Sequence, residues 1–156
     1  MVPKIATAVI LLLTLFSAGT IAQTKPASQI VVTIKRETGL ACSPDYSAEI
    51  YGDGTVIYRG EACVKVTGER RHKISTDRLA QLIKAFEQAN YFSFKDSYEF
   101  DERGMSVTDL PRTTTSISLN GKTRKLVDYL TPPKELVALE ELIEKLAGLY
   151  EYIGPL

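Results

Sequence analysis

The sequence predicts an α+β fold: a two-layer sandwich whose mainly antiparallel sheet of about six strands carries two helices on one face, in the order βββ(β)αββα. Three observations predict it. Two pairs of β-rich runs are each joined by a tight turn, at Gly52-Asp53-Gly54 and at Asn120-Gly121. Two later segments, residues 79–89 and 136–146, repeat apolar side chains at helical spacing. Strands with one apolar face and helices with one apolar stripe must bury those surfaces against each other, which an antiparallel sheet open on one side allows.

The elements follow in order. Residues 1–22 read as a cleavable signal peptide: Lys4 is its short positive region, Ile5 to Phe16 its apolar run, and Ser17, Ala18, Gly19, Thr20 and Ala22 its small-residue tail. The apolar run is shorter than the about 20 residues that span a hydrocarbon core, which disfavours an uncleaved anchor. Export to a periplasmic or extracellular space is therefore expected, with no stable membrane insertion after cleavage. Residues 23–29, with Lys25 and Pro26, form a flexible lead-in, and residues 30–153 a single domain. The run Ile30 to Ile34 is a first strand, β-branched throughout. Residues 46–51 and 55–59 make the first hairpin, and 62–66 and 71–74 a further strand interrupted at Gly68.

Ser75 then offers a helix N-cap, Asp77 sits where the dipole favours an acid, and Leu79, Leu82, Ile83, Phe86 and Ala89 form the stripe that Asn90 ends. Tyr91, Phe92 and Phe94 turn aromatic rings under the sheet. Residues 95–112, rich in charge, read as a mobile loop. Residues 113–119 alternate and lead through Asn120-Gly121 into residues 122–129, a second hairpin. Thr131, Pro132 and Pro133 mark a helix start, and Leu136, Leu139, Leu142, Ile143 and Leu146 its stripe, down to Gly148. Tyr150, Tyr152 and Ile153 form a tail that packs back on the domain.

Export changes how the two cysteines are read, because an oxidising compartment keeps thiols paired. Cys42 and Cys63 flank the first hairpin at its open end and are expected to form a structural disulfide. Register is left open by the turn: Gly52-Asp53 as the loop sets the cysteines opposite, Asp53-Gly54 sets them diagonal, and a three-residue loop puts them on opposite faces. Without a Cys-x-x-Cys spacing or a nearby histidine, a metal or redox pair has little support.

Several stretches resemble one family. They are Cys42-Ser43-Pro44-Asp45-Tyr46, the run from Tyr51 to Gly60, Val64 to Gly68, Phe92 to Tyr98, Thr108-Asp109-Leu110-Pro111, Asn120-Gly121-Lys122 and the terminal Leu-Glu-Glu-Leu-Ile helix. Together they are similar to the bacterial exported family catalogued as domain of unknown function 6438, over residues 30–147. Members show Cys-Phe-Gly-x-Cys-Pro before the tyrosine, whereas this chain has Gly39-Leu40-Ala41-Cys42-Ser43-Pro44. The resemblance implies the fold and export, and no activity. The changed cysteine pattern fits a bridge rewired to Cys63 and weakens any redox role.

Composition excludes several functions. With 19 basic against 19 acidic side chains, the chain favours neither nucleic acid nor an anionic membrane as partner. Its one histidine, His72, stands in the basic run Arg70-Arg71-His72-Lys73, without a nucleophile motif, and reads as a solvated strand edge. Loop acids such as Asp101 and Asp109 leave a small glycosidase-like hydrolase as an alternative, though their spacing fixes no pair. No cofactor is expected. Tyr46, Tyr51 and Tyr58, with Asp101 and Asp109, are the candidate binding surface, and core packing explains the tyrosines equally well. The expectation is a non-enzymatic binding module for a protein, peptide or cell-envelope component. A small hydrolase using loop carboxylates and a purely structural envelope protein are the alternatives.

Overall fold

The computed structural model describes residues 29–154. The signal-peptide reading of residues 1–22, and all of the lead-in but its last residue, fall outside the described residues. The sheet has seven strands: β1 (Ile30–Glu37), β2 (Asp45–Tyr51), β3 (Thr55–Ala62), β4 (Gly68–Lys73), β5 (Ser97–Tyr98), β6 (Arg112–Leu119) and β7 (Lys122–Asp128). Their spatial order is β4-β3-β2-β1-β6-β7-β5. Every neighbouring pair is antiparallel except β5 with β7. The two hairpins therefore meet across β1, which lies between β2 and β6.

The first hairpin takes the three-residue loop. Ser47 pairs with Arg59 and Ile50 with Val56, the Gly54 amide donates to the Tyr51 carbonyl at 3.0 Å, and Gly54 adopts φ +81°. That left-handed conformation suits glycine, and a side chain there would also meet the Ile74 carbonyl oxygen. This register alone would separate the cysteines, yet Cys42 and Cys63 are bridged with Cα atoms 5.7 Å apart. Two local irregularities reconcile the facts. The β2–β3 register slips between Asp45 and Tyr46, and Cys63 itself adopts φ +54° as the chain leaves β3. Of the stretch expected as strand over 62–66, Ala62 ends β3 and residues 63–66 are consequently a bend, and β4 begins only at Gly68. The bridge closes a sequence separation of 21 residues and is worth about 3 kcal/mol in the loop-entropy model. A Cys42→Ser/Cys63→Ser variant is expected to lose that amount in a urea titration, and an unchanged midpoint would contradict it.

The second hairpin is the expected two-residue turn, with Leu119 opposite Lys122 and positive φ at both Asn120 and Gly121. The helices α1 (Thr76–Gln88), α2 (Lys134–Leu146) and the single-turn α3 (Tyr150–Ile153) form the other layer. Ser75 caps α1 by accepting from the Arg78 amide at 3.2 Å. Gly148 at φ +70° and Leu149, whose amide donates to the Glu144 carbonyl, close α2 in a Schellman arrangement. One continuous core joins Val32, Ile34, Ala48, Ile50 and Val56 of the sheet to Leu82, Phe86, Leu136, Leu139 and Ile143 of the helices. The tail returns as expected: the Lys65 and Val66 amides donate to the Ile153 and Tyr152 carbonyls.

Three readings need correction. The first strand does not stop at Ile34 but runs to Glu37, because both β2 and β6 continue to pair with it. The expected loop over residues 95–112 contains the edge strand β5 and is fastened elsewhere by Asp101, whose carboxylate accepts from the amides of Arg103 and Met105. His72 is no solvated edge residue, for its Nε2 lies 2.8 Å from the Ala147 carbonyl at the end of α2 and its Nδ1 3.3 Å from the Tyr152 hydroxyl. Of the three aromatic residues expected beneath the sheet, Tyr91 is fully buried and Phe92 is exposed.

Candidate functional site

Register places one polar row across the helix-covered face of the sheet. Tyr46, Arg36, Thr113 and Asp128 are successive partners on β2, β1, β6 and β7. Alternation from Val32 and Ile34 carries Arg36 onto this face, and α2 lies above it with Glu140 and Glu144 one helical turn apart. Both glutamates are buried, at 1% and 0% exposure. Glu144 Oε1 accepts from Arg36 Nε at 2.5 Å and from the Tyr46 hydroxyl at 2.5 Å. Arg36 also donates to Thr113 Oγ1 at 3.1 Å.

The row is electrically tense because it lies away from water. Burial, the largest single influence, would lower the Arg36 pKa, but Glu144, Tyr46 and Glu140 together outweigh it and the net shift is upward. Burial, reinforced by the same carboxylate, drives the Tyr46 phenol upward. Glu140 is pushed up to about 8, first by burial and then by the negative charge of Asp128, with which it shares a hydrogen bond. Asp128 is raised too, by burial. Glu140 and Asp128 thus behave as a proton-sharing pair beside an Arg36–Glu144 ion pair. Glu140 Oε1 and Glu144 Oε2 have no hydrogen-bond partner among the described residues. Among the described residues, no group of three or more His, Cys, Asp or Glu side chains is placed to hold a metal ion.

The residues singled out from sequence do not form one surface. Tyr46 and Tyr58 are buried at 1% and 0% exposure, under the helical layer, and offer no binding face. Tyr58 instead stacks near Tyr152 with ring centroids 5.0 Å apart. Tyr51 is half-buried on the opposite, open face, where its hydroxyl donates to Glu49 at 3.1 Å. Beside it Ile57, Asp53 and Arg71 line a shallow depression of about 230 Å³. Asp101 and Asp109 belong to the 95–112 segment. Asp101 lines a depression of about 520 Å³ with Tyr98, Phe100, Arg103 and Thr131. Asp109 adopts φ +67°, and its carbonyl accepts from the Leu40 amide at 2.7 Å.

That last bond joins two loops. Leu40 is 88% exposed, and Phe100, Met105 and Val107 on the joined segment are also exposed. Gly39 explains how the loops approach so closely: a Cβ there would lie 2.3 Å from the Asp109 carbonyl oxygen. Glycine at position 39 is thus required by the close approach of the backbone of residues 109–111. Sequence reasoning counted Asp128 among the strand-end acids and overlooked Arg36, Glu140 and Glu144. One signal was available: Glu140 and Glu144 lie in line with Leu136, Ile143 and Ala147 on the buried stripe of α2.

The fold and its bridge define an α+β domain with an open antiparallel sheet, one covered face and a buried ionic row. A family model described as a domain of unknown function (DUF6438) matches residues 30–147, from the start of β1 to the end of α2, and the chain belongs to that family. No curated protein matches it. Among the described residues, no helix is long and apolar enough to cross a membrane.

Proposed function

We propose that the protein is an exported, non-enzymatic binding module that takes a protein, peptide or envelope component on its joined loops. The observation that carries this reading is the set of exposed apolar side chains Leu40, Phe100, Met105 and Val107, held on two loops tied by the Leu40–Asp109 bond. Exposed apolar side chains carried on adjoining loops, rather than scattered singly, are a mark of interaction surfaces. The bridge supports export, since disulfides persist in oxidising compartments, and the leader-like residues 1–22 point the same way.

The hydrolase alternative draws less support from the acids. Asp53 is held at about 2 by the amide and hydroxyl of Thr55, and Asp101 is lowered by the Met105 amide, so both are engaged in turns. The test is a cross-linked pull-down from the protein's own cell envelope, comparing the natural domain with a Leu40→Ser/Phe100→Ser variant. The natural domain is expected to recover a partner that the equally folded variant recovers roughly tenfold less well. Equal recovery, or none from the natural domain, would remove this reading.

A further inference from the structure

A second surface follows from the sheet's edge. Strand β4 is the terminal strand, paired on one side with β3 and on the other with no strand among the described residues. The hydrogen-bond phase of this edge is fixed at its end, where the Ile74 amide donates to the Gly54 carbonyl at 2.9 Å. Alternation from that pair turns the backbone groups of Gly68, Arg70 and His72 toward β3. The amides and carbonyls of Glu69, Arg71 and Lys73 therefore face outward, at the spacing an added strand needs.

The two faces of β4 differ. His72 is clamped against the end of α2 on the covered face, so the strand is anchored and its outer edge presented. On the open face Glu69 is held by Arg59 at 3.1 Å and Lys73 by Asp53 at 3.2 Å, whereas Arg71 makes no ion pair among the described residues. Arg71 also borders the open-face depression lined by Tyr51 and Ile57. Arg70 donates only to its neighbour's carbonyl. The edge thus combines net positive charge with outward backbone groups that no strand among the described residues pairs, of which the Glu69 carbonyl accepts from the Arg70 side chain. Like charges set directly opposite each other disfavour pairing with a second copy of β4, and acids set there favour it.

We propose that β4 takes an acidic, extended peptide segment as an eighth strand, with an acid of that segment set against Arg71 on the open face. This surface is separate from the joined loops, and either can fail without the other. The probe is a capped decapeptide of alternating valine and glutamate, titrated against the bridged domain while amide hydrogen exchange is followed by NMR. Exchange at Glu69, Arg71 and Lys73 is expected to slow, with Ser97 and Tyr98 at the other edge unchanged. The same peptide with lysine for glutamate is expected to bind at least about tenfold more weakly, and Arg71→Glu to weaken the acidic peptide by a similar factor. A glutamate peptide N-methylated on every amide keeps the charge and loses the strand-pairing donors of both its edges, so it is expected not to protect the β4 edge. The proposal is overturned if the acidic peptide leaves these amides unprotected, if the lysine peptide protects them equally, or if the N-methylated peptide binds as well as its parent.

Discussion

Truncating Glu144 to alanine is expected to lower the unfolding free energy by about 3–5 kcal/mol, because it leaves the Arg36 guanidinium largely buried without its counter-charge. The Arg36 side chain is only 25% exposed, and Glu144 Oε1 is the acceptor for both it and the buried Tyr46 hydroxyl. Losing one partner of such a pair is costlier than losing both. A triple variant, Arg36→Met/Tyr46→Phe/Glu144→Leu, replaces the charges with packing of similar shape and is expected to lie within about 1 kcal/mol of the natural domain. Urea titration at neutral pH measures both. A Glu144→Ala change of less than about 1 kcal/mol would show that water reaches and solvates Arg36.

The second large effect is a dependence of stability on pH that runs toward acid. The Glu140 carboxyl titrates at about 8 in the folded chain against 4.5 when exposed. Between those values the folded state binds more protons than the unfolded state, so stability falls as pH rises, and it is level above about 8. Asp128, raised by burial, acts in the same sense. The charged and titratable groups that face Glu140 are Asp128 on β7, Arg36 on β1, Glu144 on its own helix and Tyr91 below α1. A loss on the order of 5 kcal/mol is expected across this window from Glu140. Glu140→Gln keeps a hydrogen-bonding partner for Asp128 and removes the titration. The variant is expected to be the more stable protein at pH 8 and to show a nearly flat profile from pH 4.5 upward. An unchanged slope in Glu140→Gln would assign the titration elsewhere. At lower pH the turn and edge acids Asp53, Glu99 and Asp101, all lowered, work in the opposite direction as they protonate.

What could be read from residues divides along physical lines. Local chemistry was legible: the Asn120-Gly121 turn, the Ser75 cap and the apolar stripes each follow from a few neighbouring residues. Features that depend on distant partners were not. Arg36 looks like the polar end of a strand until β2 and β6 are seen to extend beside it. Glu140 and Glu144 look like solvated charges until the row beneath α2 supplies Arg36, Tyr46 and Asp128. Spacing alone left the cysteine register open, and the loop chosen is the one that seemed to forbid a bridge, rescued by the slip at Asp45 and the turn at Cys63. Tyr46 and Tyr58 fit a surface or a core equally by shape, and alternation with Ile50 and Val56 sends them inward. On the loops, Asp109 was legible as a turn or strand-entry residue, whereas the turn that Asp101 fastens and the joining of Leu40 to Asp109 required the fold.

In the proposed reading two tasks are separate: the buried ionic row holds the sheet to α2, and recognition falls to the joined loops. One measurement addresses that separation directly, namely partner recovery by the Arg36→Met/Tyr46→Phe/Glu144→Leu variant after its folding has been verified by urea titration. Recovery equal to that of the natural domain is the predicted result. A folded variant that no longer recovers the partner would place the ionic row in the function itself and contradict the account.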